Sequence, residues 1–338
     1  MGGEIKIVIF DGKCAALFLV ERSPLDAYRF ILFQIGETMS ILVDERTTFI
    51  IQGITGREAV TMTRECLDYG AKVIGGVTPG RSGRKVHGLP VEDTVKAFTS
   101  RERVDAAVVS VPPAFAADAA LEAVVAGVPL VVIVTERIPR KQVAQIMEVA
   151  EKYGTRIIGP NCLGIISPGK SRVGGLGGQA ESCARAFKPG KIGVMSRSGG
   201  MTVEIANSLS EAGLGVSTAV SIGGDPIIGS SYAELMPLFD ADADTEAIAI
   251  YSEPGGRAEY ELAEYMAKSG STKPIVAFMA GRFIDEMPGM RFGHAGTIVE
   301  GKADTAASKI TNLRDVGITV AERIGDIPNL LKEKLSEV

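Results

Sequence analysis

Thr47-Thr48-Phe49-Ile50-Ile51-Gln52-Gly53-Ile54-Thr55-Gly56 is the stretch from which the architecture unfolds. Thr47 to Ile51 is a short run of β-branched and aromatic residues, and a helical pattern from Glu58 to Tyr69 follows the glycines. Strand, glycine turn and helix in this order form a phosphate-binding arrangement: glycines let the backbone approach a ligand, and the free N–H groups of the helix start attract negative charge. The next strand, Lys72-Val73-Ile74-Gly75-Gly76, ends without the acidic residue that would hold a dinucleotide ribose. The loop beyond it, Val77 to Lys85, carries Arg81, Arg84 and Lys85 instead. It reads either as a solvated turn or as a seat for a further phosphate, which cations suit better than a ribose hydroxyl.

The alternation continues outward from this unit. Val104 to Val111 reads as a strand ended by Pro112-Pro113, Ala116 to Ala126 as a helix stopped by Gly127, and Leu130 to Val134 as a buried strand. A helix from Arg140 to Tyr153 and a strand from Arg156 to Pro160 follow. Strands alternating with helices predict an α/β fold with a doubly wound parallel sheet whose ligands gather at the strands' carboxyl ends. The segment Gly159-Pro160-Asn161-Cys162 closes this first domain, with Cys162 read as a buried structural thiol because no His or base stands near it.

The device then repeats. Lys191 to Met195 is a strand, Ser196-Arg197-Ser198-Gly199-Gly200 a glycine turn, and Met201 to Ala212 a helix stopped by Gly213. Such a turn again suits an anion. Further strands are expected at Val216 to Ile222, Glu246 to Tyr251 and Ile275 to Met279, the second of these running into Ser252-Glu253-Pro254. Soon after the last comes Arg291-Phe292-Gly293-His294-Ala295-Gly296, holding one of only two histidines in the chain. Glu253 reads as a loop cap or as an acid facing His294. A histidine beside an anion-binding helix start, with a carboxylate on its other ring nitrogen, can carry a phosphoryl group.

Composition narrows the function classes. The 338 residues suit about two domains, and a net charge of −5 with no Lys/Arg-dense run argues against a general nucleic-acid binder. The four cysteines contain no C-x-x-C pair, so no zinc site or disulfide framework is indicated, no metal-ligating set is assigned, and the reducing cytoplasm is the natural compartment. Apolar runs near the N-terminus are broken by Asp11, Lys13, Glu21 and Arg22, well short of the roughly 20 residues a membrane span requires. The expected division is an N-terminal extension over 1–38, disordered or added by an upstream start site; a doubly wound first domain over 39–165; a glycine-rich connection over 166–187; and a second domain over 188–338.

Six segments in order resemble the motifs of the succinyl-CoA synthetase α subunit family: Gly53-Ile54-Thr55-Gly56, Gly75 to Gly80, Gly159-Pro160-Asn161-Cys162, Ser196-Arg197-Ser198-Gly199, Ile222 to Pro226, and Gly293-His294-Ala295-Gly296. The resemblance runs from residue 39 to near the end. It implies a Rossmann-like CoA-binding domain followed by a flavodoxin-like ligase domain, both built on parallel sheets, and a β subunit supplying the nucleotide-grasping half. It implies that His294 is phosphorylated with Glu253 as its partner, and that Ser196, Ser198 and Gly199 bind phosphate or the acyl carboxylate. CoA is expected along Gly53, Thr55, Gly56, Arg57, Glu58, Arg81, Val134, Thr135 and Glu136. ATP or GTP and Mg²⁺ are expected mainly on the partner, in an αβ or α₂β₂ assembly.

The chain departs from that pattern at the acid site. Succinate-using members typically show Ser-Gly-Thr-Leu-Thr-Tyr-Glu, where this chain has Ser198-Gly199-Gly200-Met201-Thr202-Val203-Glu204. Gly200 in place of a threonine opens room for a bulkier acid, and Val203 removes a tyrosine hydroxyl worth of order 1 kcal/mol as a polar contact. Gly199-Gly200-Met201 and Phe292 resemble ATP-citrate lyase and citryl-CoA synthetase, although no citrate-synthase-like domain follows within this sequence. Succinate is therefore the first expected acid and citrate the second. A dinucleotide dehydrogenase is disfavoured by the absent ribose acid, and a non-catalytic CoA-binding module would need neither His294 nor Glu253.

Overall fold

The computed structural model describes residues 5–10, 13–18 and 41–337, apart from 288, 291 and 300. The expectation for the 1–38 extension falls largely outside these residues, as does Arg291. Within 1–39, strands β1 (Ile5–Phe10) and β2 (Lys13–Phe18) form an antiparallel hairpin.

The body of the chain, from residue 40 onward, holds two seven-stranded sheets. The first contains β3 (Thr48–Gln52), β4 (Lys72–Val77), β5 (Lys85–Val86), β6 (Leu89–Glu92), β7 (Ala106–Val109), β8 (Leu130–Ile133) and β9 (Arg156–Ile158), in the order β5-β6-β4-β3-β7-β8-β9. Helices α1 (Arg57–Asp68), α2 (Val95–Thr99), α3 (Pro113–Val125) and α4 (Arg140–Tyr153) connect them. All pairings are parallel except β5 with β6, a small hairpin inside the basic loop. Strands β7 and β8 are buried throughout, which is why both read as uninterrupted apolar runs.

The second sheet contains β10 (Gly164–Ser167), β11 (Ser171–Gly174), β12 (Pro189–Ser196), β13 (Val216–Ser221), β14 (Ala247–Ser252), β15 (Ile275–Met279) and β16 (Thr319–Ala321), in the order β11-β10-β13-β12-β14-β15-β16. Five helices follow α5 (Ala180–Ala186): α6 (Gly199–Glu211), α7 (Tyr232–Ala241), α8 (Ala258–Ser269), α9 (Ala306–Asp315) and α10 (Ile327–Ser336). The sheet is mixed rather than wholly parallel, because β10 pairs antiparallel with both β11 and β13. The glycine-rich stretch expected as a connection thus supplies an edge hairpin. Its glycines serve close packing: a Cβ on Gly164 would lie 2.1 Å from the Val173 carbonyl oxygen, and one on Gly174 2.6 Å from that of Leu163.

One apolar cluster runs from Phe49, Ile51 and Val108 through Ile165 and Val173 to Met195, Val220 and Ile250, so both sheets share a core. Each such side chain contributes about 1.5–3 kcal/mol on burial. Cys162 is buried with its thiol donating to the Ile133 carbonyl at 3.3 Å, and burial pushes that thiol up to about 12.

Chain order places the sites. In the first sheet β3 has β4 on one side and β7 on the other; in the second, β12 lies between β13 and β14. Each central strand stands at a topological switch point, where the crevice beyond the carboxyl ends opens. Gly53 follows β3 directly, and the turn beginning at Ser196 ends β12.

Candidate active site

At the first switch point Gly53 has φ +83°, and a Cβ there would sit 2.3 Å from the Ser110 carbonyl oxygen at the end of β7. Only glycine passes that constriction without strain. Gly56 is the N-cap of α1 with no side-chain capping bond, so the helix start keeps its amides for a ligand. Thr55 Oγ1 lies 3.2 Å from Thr78 Oγ1. Arg57 and Glu58 form an exposed ion pair at 3.4 Å. The backbone amide of Arg81 donates to Asp93 at 3.0 Å while its residue stays exposed. Beyond β8, the Val134 amide donates to the Val109 carbonyl, the Thr135 hydroxyl to the Val111 carbonyl at 2.7 Å, and Glu136 pairs with Arg137 at 3.4 Å. Thr135 therefore spends its hydroxyl bracing strand ends.

At the second switch point Ser196 Oγ donates to the Ser198 carbonyl at 2.7 Å and accepts from the Ser198 amide at 3.1 Å. The Ser196 hydroxyl is turned into the loop that it shapes. Ser198 caps α6 by accepting from the Met201 amide at 3.4 Å. Gly199 is pressed against Leu163, where a Cβ would approach to 2.4 Å, whereas a Cβ on Gly200 would meet nothing within 4 Å. Val203, one turn along α6, is half-buried.

His294 Nδ1 lies 2.8 Å from Glu253 Oε2, and Thr297 Oγ1 donates to the same oxygen at 3.2 Å. Two residues 41 positions apart meet because β14 delivers Glu253 at its carboxyl end while the loop after β15 folds back over it. The loop is stapled there: the Gly296 amide donates to the Gly224 carbonyl at 3.1 Å, and Gly255, at φ +84°, packs under Gly296. The imidazole rests on Gly224. The hydrogen bond to Glu253 raises the His294 pKa against the opposing effects of burial and of Arg197. Burial pushes the Glu253 carboxyl up, but the bond and charge of His294, with Arg197 and Thr297, hold it below the usual carboxylate range.

Behind Glu253 is an ion pair with both side chains fully buried: Lys309 Nζ donates to Glu259 Oε2 at 2.6 Å, to the Glu253 carbonyl at 3.1 Å and to the Gly255 carbonyl. Asn161 ties the two switch points together. Its amide donates to the Thr135 carbonyl at 3.1 Å, its carbonyl accepts from the Gly224 amide at 3.1 Å, and its side chain donates to Asp225 Oδ1 at 3.0 Å. Burial raises the Asp225 carboxyl. Lys309 and Glu259 carried no signal in a single sequence. Arg197, Asn161 and Asp225 stand inside glycine motifs of the sequence, and their position beside those glycines is the available clue.

The sequence profile of the CoA binding domain family matches residues 44–137, and that of the CoA-ligase family residues 195–319. A succinate–CoA ligase [ADP-forming] subunit alpha 1 of Archaeoglobus fulgidus is 45% identical over 289 residues, covering 86% of this chain and 96% of its own. The chain belongs to the succinate–CoA ligase α-subunit family. It is an acid–CoA ligase chain with a CoA-binding domain. A malate–CoA ligase subunit alpha of Methylorubrum extorquens is 40% identical over 88% of this chain and 99% of its own. The structure of an ATP citrate lyase from Methanosaeta concilii in complex with (3S)-citryl-CoA superposes with a TM-score of 0.81 at 26% identity, over 88% of this chain and 51% of that one. This ligase chain thus spans about half the length of the lyase. Among the described residues no helix is long and apolar enough to cross a membrane, and no group of three His, Cys, Asp or Glu side chains is placed to hold a metal ion.

Proposed function

We propose that this chain is the α subunit of a nucleoside-triphosphate-dependent succinate–CoA ligase that carries a phosphoryl group on Nε2 of His294. The observation that carries the reading is the 2.8 Å contact between His294 Nδ1 and Glu253. With Nδ1–H donated to an ionised carboxylate, the neutral ring keeps its lone pair on Nε2, which is then the nucleophile. Nε2 attacks the γ-phosphorus, the bond to the bridging oxygen breaks, and its electron pair leaves with the nucleoside diphosphate. The positive charge gained by the ring is shared with Glu253. A carboxylate oxygen of the acid then takes the phosphoryl group, returning the N–P electron pair to Nε2. The CoA sulfur, losing its proton, attacks the acyl carbon and expels phosphate, giving a reversible conversion of acid, CoA and nucleoside triphosphate to acyl-CoA, nucleoside diphosphate and phosphate.

In this reading Ser196, Ser198, Gly199 and Gly200 form the turn that receives phosphate or the acyl carboxylate, with Val203 beside it. CoA lies along Gly53, Thr55, Gly56, Arg57, Glu58, Arg81, Val134, Thr135 and Glu136. A β subunit, in an αβ or α₂β₂ assembly, supplies the ATP or GTP site and its Mg²⁺. The compartment is the cytoplasm. Citrate as the acid is the second reading, favoured by the open space at Gly200 and by Val203 in place of a tyrosine.

The test is co-expression with the cognate β subunit and a thioester assay on succinate, malate and citrate, with labelling by γ-labelled ATP. His294→Asn is expected to abolish acid-labile, alkali-stable label on this chain. Persistent label in that variant overturns the assignment.

A further inference from the structure

Arg197 is only 4% exposed, yet among the described residues its guanidinium has no carboxylate partner. Its guanidinium donates from Nη2 to the Asp225 carbonyl oxygen at 2.9 Å, and its Nε is buried with no acceptor. A buried cation is expensive unless it is paired and hydrogen-bonded. Room is left for it at Gly296, where a Cβ would lie 2.6 Å from Nη2. The same backbone holds the imidazole, since Gly224 underlies the His294 ring and Gly296 is bonded to Gly224. The charge of Arg197 is felt by both members of the pair, lowering the pKa of His294 and of Glu253.

We infer that Arg197 is the counter-charge for the phosphorylated form of His294, its unsatisfied donors taking the oxygens of the phosphoryl group when that group is on the ring. The inference rests on the phosphohistidine reading above and deepens it. A phosphoryl group brings about −1.5 to −2 charges and three strong acceptors, the complement of a guanidinium with donors to spare. Before phosphorylation the Asp225 carbonyl holds the side chain in place. The acid's carboxylate is the other anion this cation could meet. The phosphoryl group is favoured because Arg197 shares its packing with the imidazole, whereas the room left for the acid lies at Gly200.

The experiment uses the full heteromer with its β subunit. Arg197→Gln keeps an amide donor for the Asp225 carbonyl but removes the charge, and Arg197→Lys restores a charge. The ratio of phosphorylated to free chain is measured at a fixed ATP/ADP ratio, together with KM for the acid. Arg197→Gln is expected to lower that ratio about tenfold or more, Arg197→Lys to recover part of it, and KM to stay within about twofold. An unchanged ratio overturns the inference, as does a raised KM with the ratio unmoved, which would assign Arg197 to the acid. A wild-type heteromer that takes no label at His294 removes the parent reading; a labelled wild type beside an equally labelled Arg197→Gln removes this inference alone. A second measurement needs no variant: phosphorylation of the wild type should raise its melting temperature, and an unchanged or lower value counts against the proposal.

Discussion

The imidazole of His294 lies so close over Gly224 that a Cβ at that position would stand 2.4 Å from the ring's Cγ. Gly224→Ala must therefore displace the ring from Glu253 while leaving the sheets intact. We expect phosphorylation about 100-fold slower, since misplacement by roughly 1 Å can cost that much, with circular dichroism unchanged. Wild-type labelling rates in the variant would show that the ring has another seat.

The raised pKa of His294 sets a pH dependence. Only the neutral ring is a nucleophile, so labelling should be weak at low pH and rise through a pKa above the ordinary histidine value of about 6.5. Glu253→Gln removes the first cause of the shift, so its profile should begin rising at lower pH even though its maximal rate falls about 10–100-fold. Stopped-time labelling across pH measures both; an unmoved profile would mean that Glu253 does not govern the ring.

Lys309 and Glu259 are fully buried, and breaking one half should leave the other uncompensated. Lys309→Met is expected to cost about 3–5 kcal/mol of stability, and replacing both with apolar residues to restore most of it. Denaturant melts of the single and double variants decide the point.

The adjacent glycines of the α6 turn should respond oppositely. Gly199→Ala meets Leu163 and should destabilise by about 1–3 kcal/mol. Gly200→Thr meets open space, so its melting temperature should stay near wild type while kcat/KM for citrate falls relative to succinate. Equal loss for all acids would place the acid elsewhere.

The fold was readable where each element was short, apolar and bounded by glycine. Helix α4 and strand β15 begin and end at the expected residues, Arg140–Tyr153 and Ile275–Met279. Strands β10 and β11 escaped because Gly164 and Gly174 look like linker residues until the carbonyls crowding them are seen. Helix α7 carries Pro237 inside it, which hides its period, and its capping box at Ser231 and Glu234 is the signal that survives. At the site, the His294 motif and Glu253 could be singled out from glycine framing and strand ends. Lys309 could not, and Arg197 only as a cation on the glycine turn, because their meaning lies in what surrounds them after folding: one cation compensated by a buried carboxylate, the other by a main-chain oxygen.

Asn161 has a practical consequence for anyone recombining these chains. Because it holds the Thr135 carbonyl on one side and both Gly224 and Asp225 on the other, it belongs equally to the two switch points. A chimera joined just before Gly159 would match one family member's Asn161 to another's Thr135. One joined after Leu163 would break it from its own Gly224 loop. Interchangeable halves therefore have to be exchanged with this joint and both of its sockets taken from the same parent.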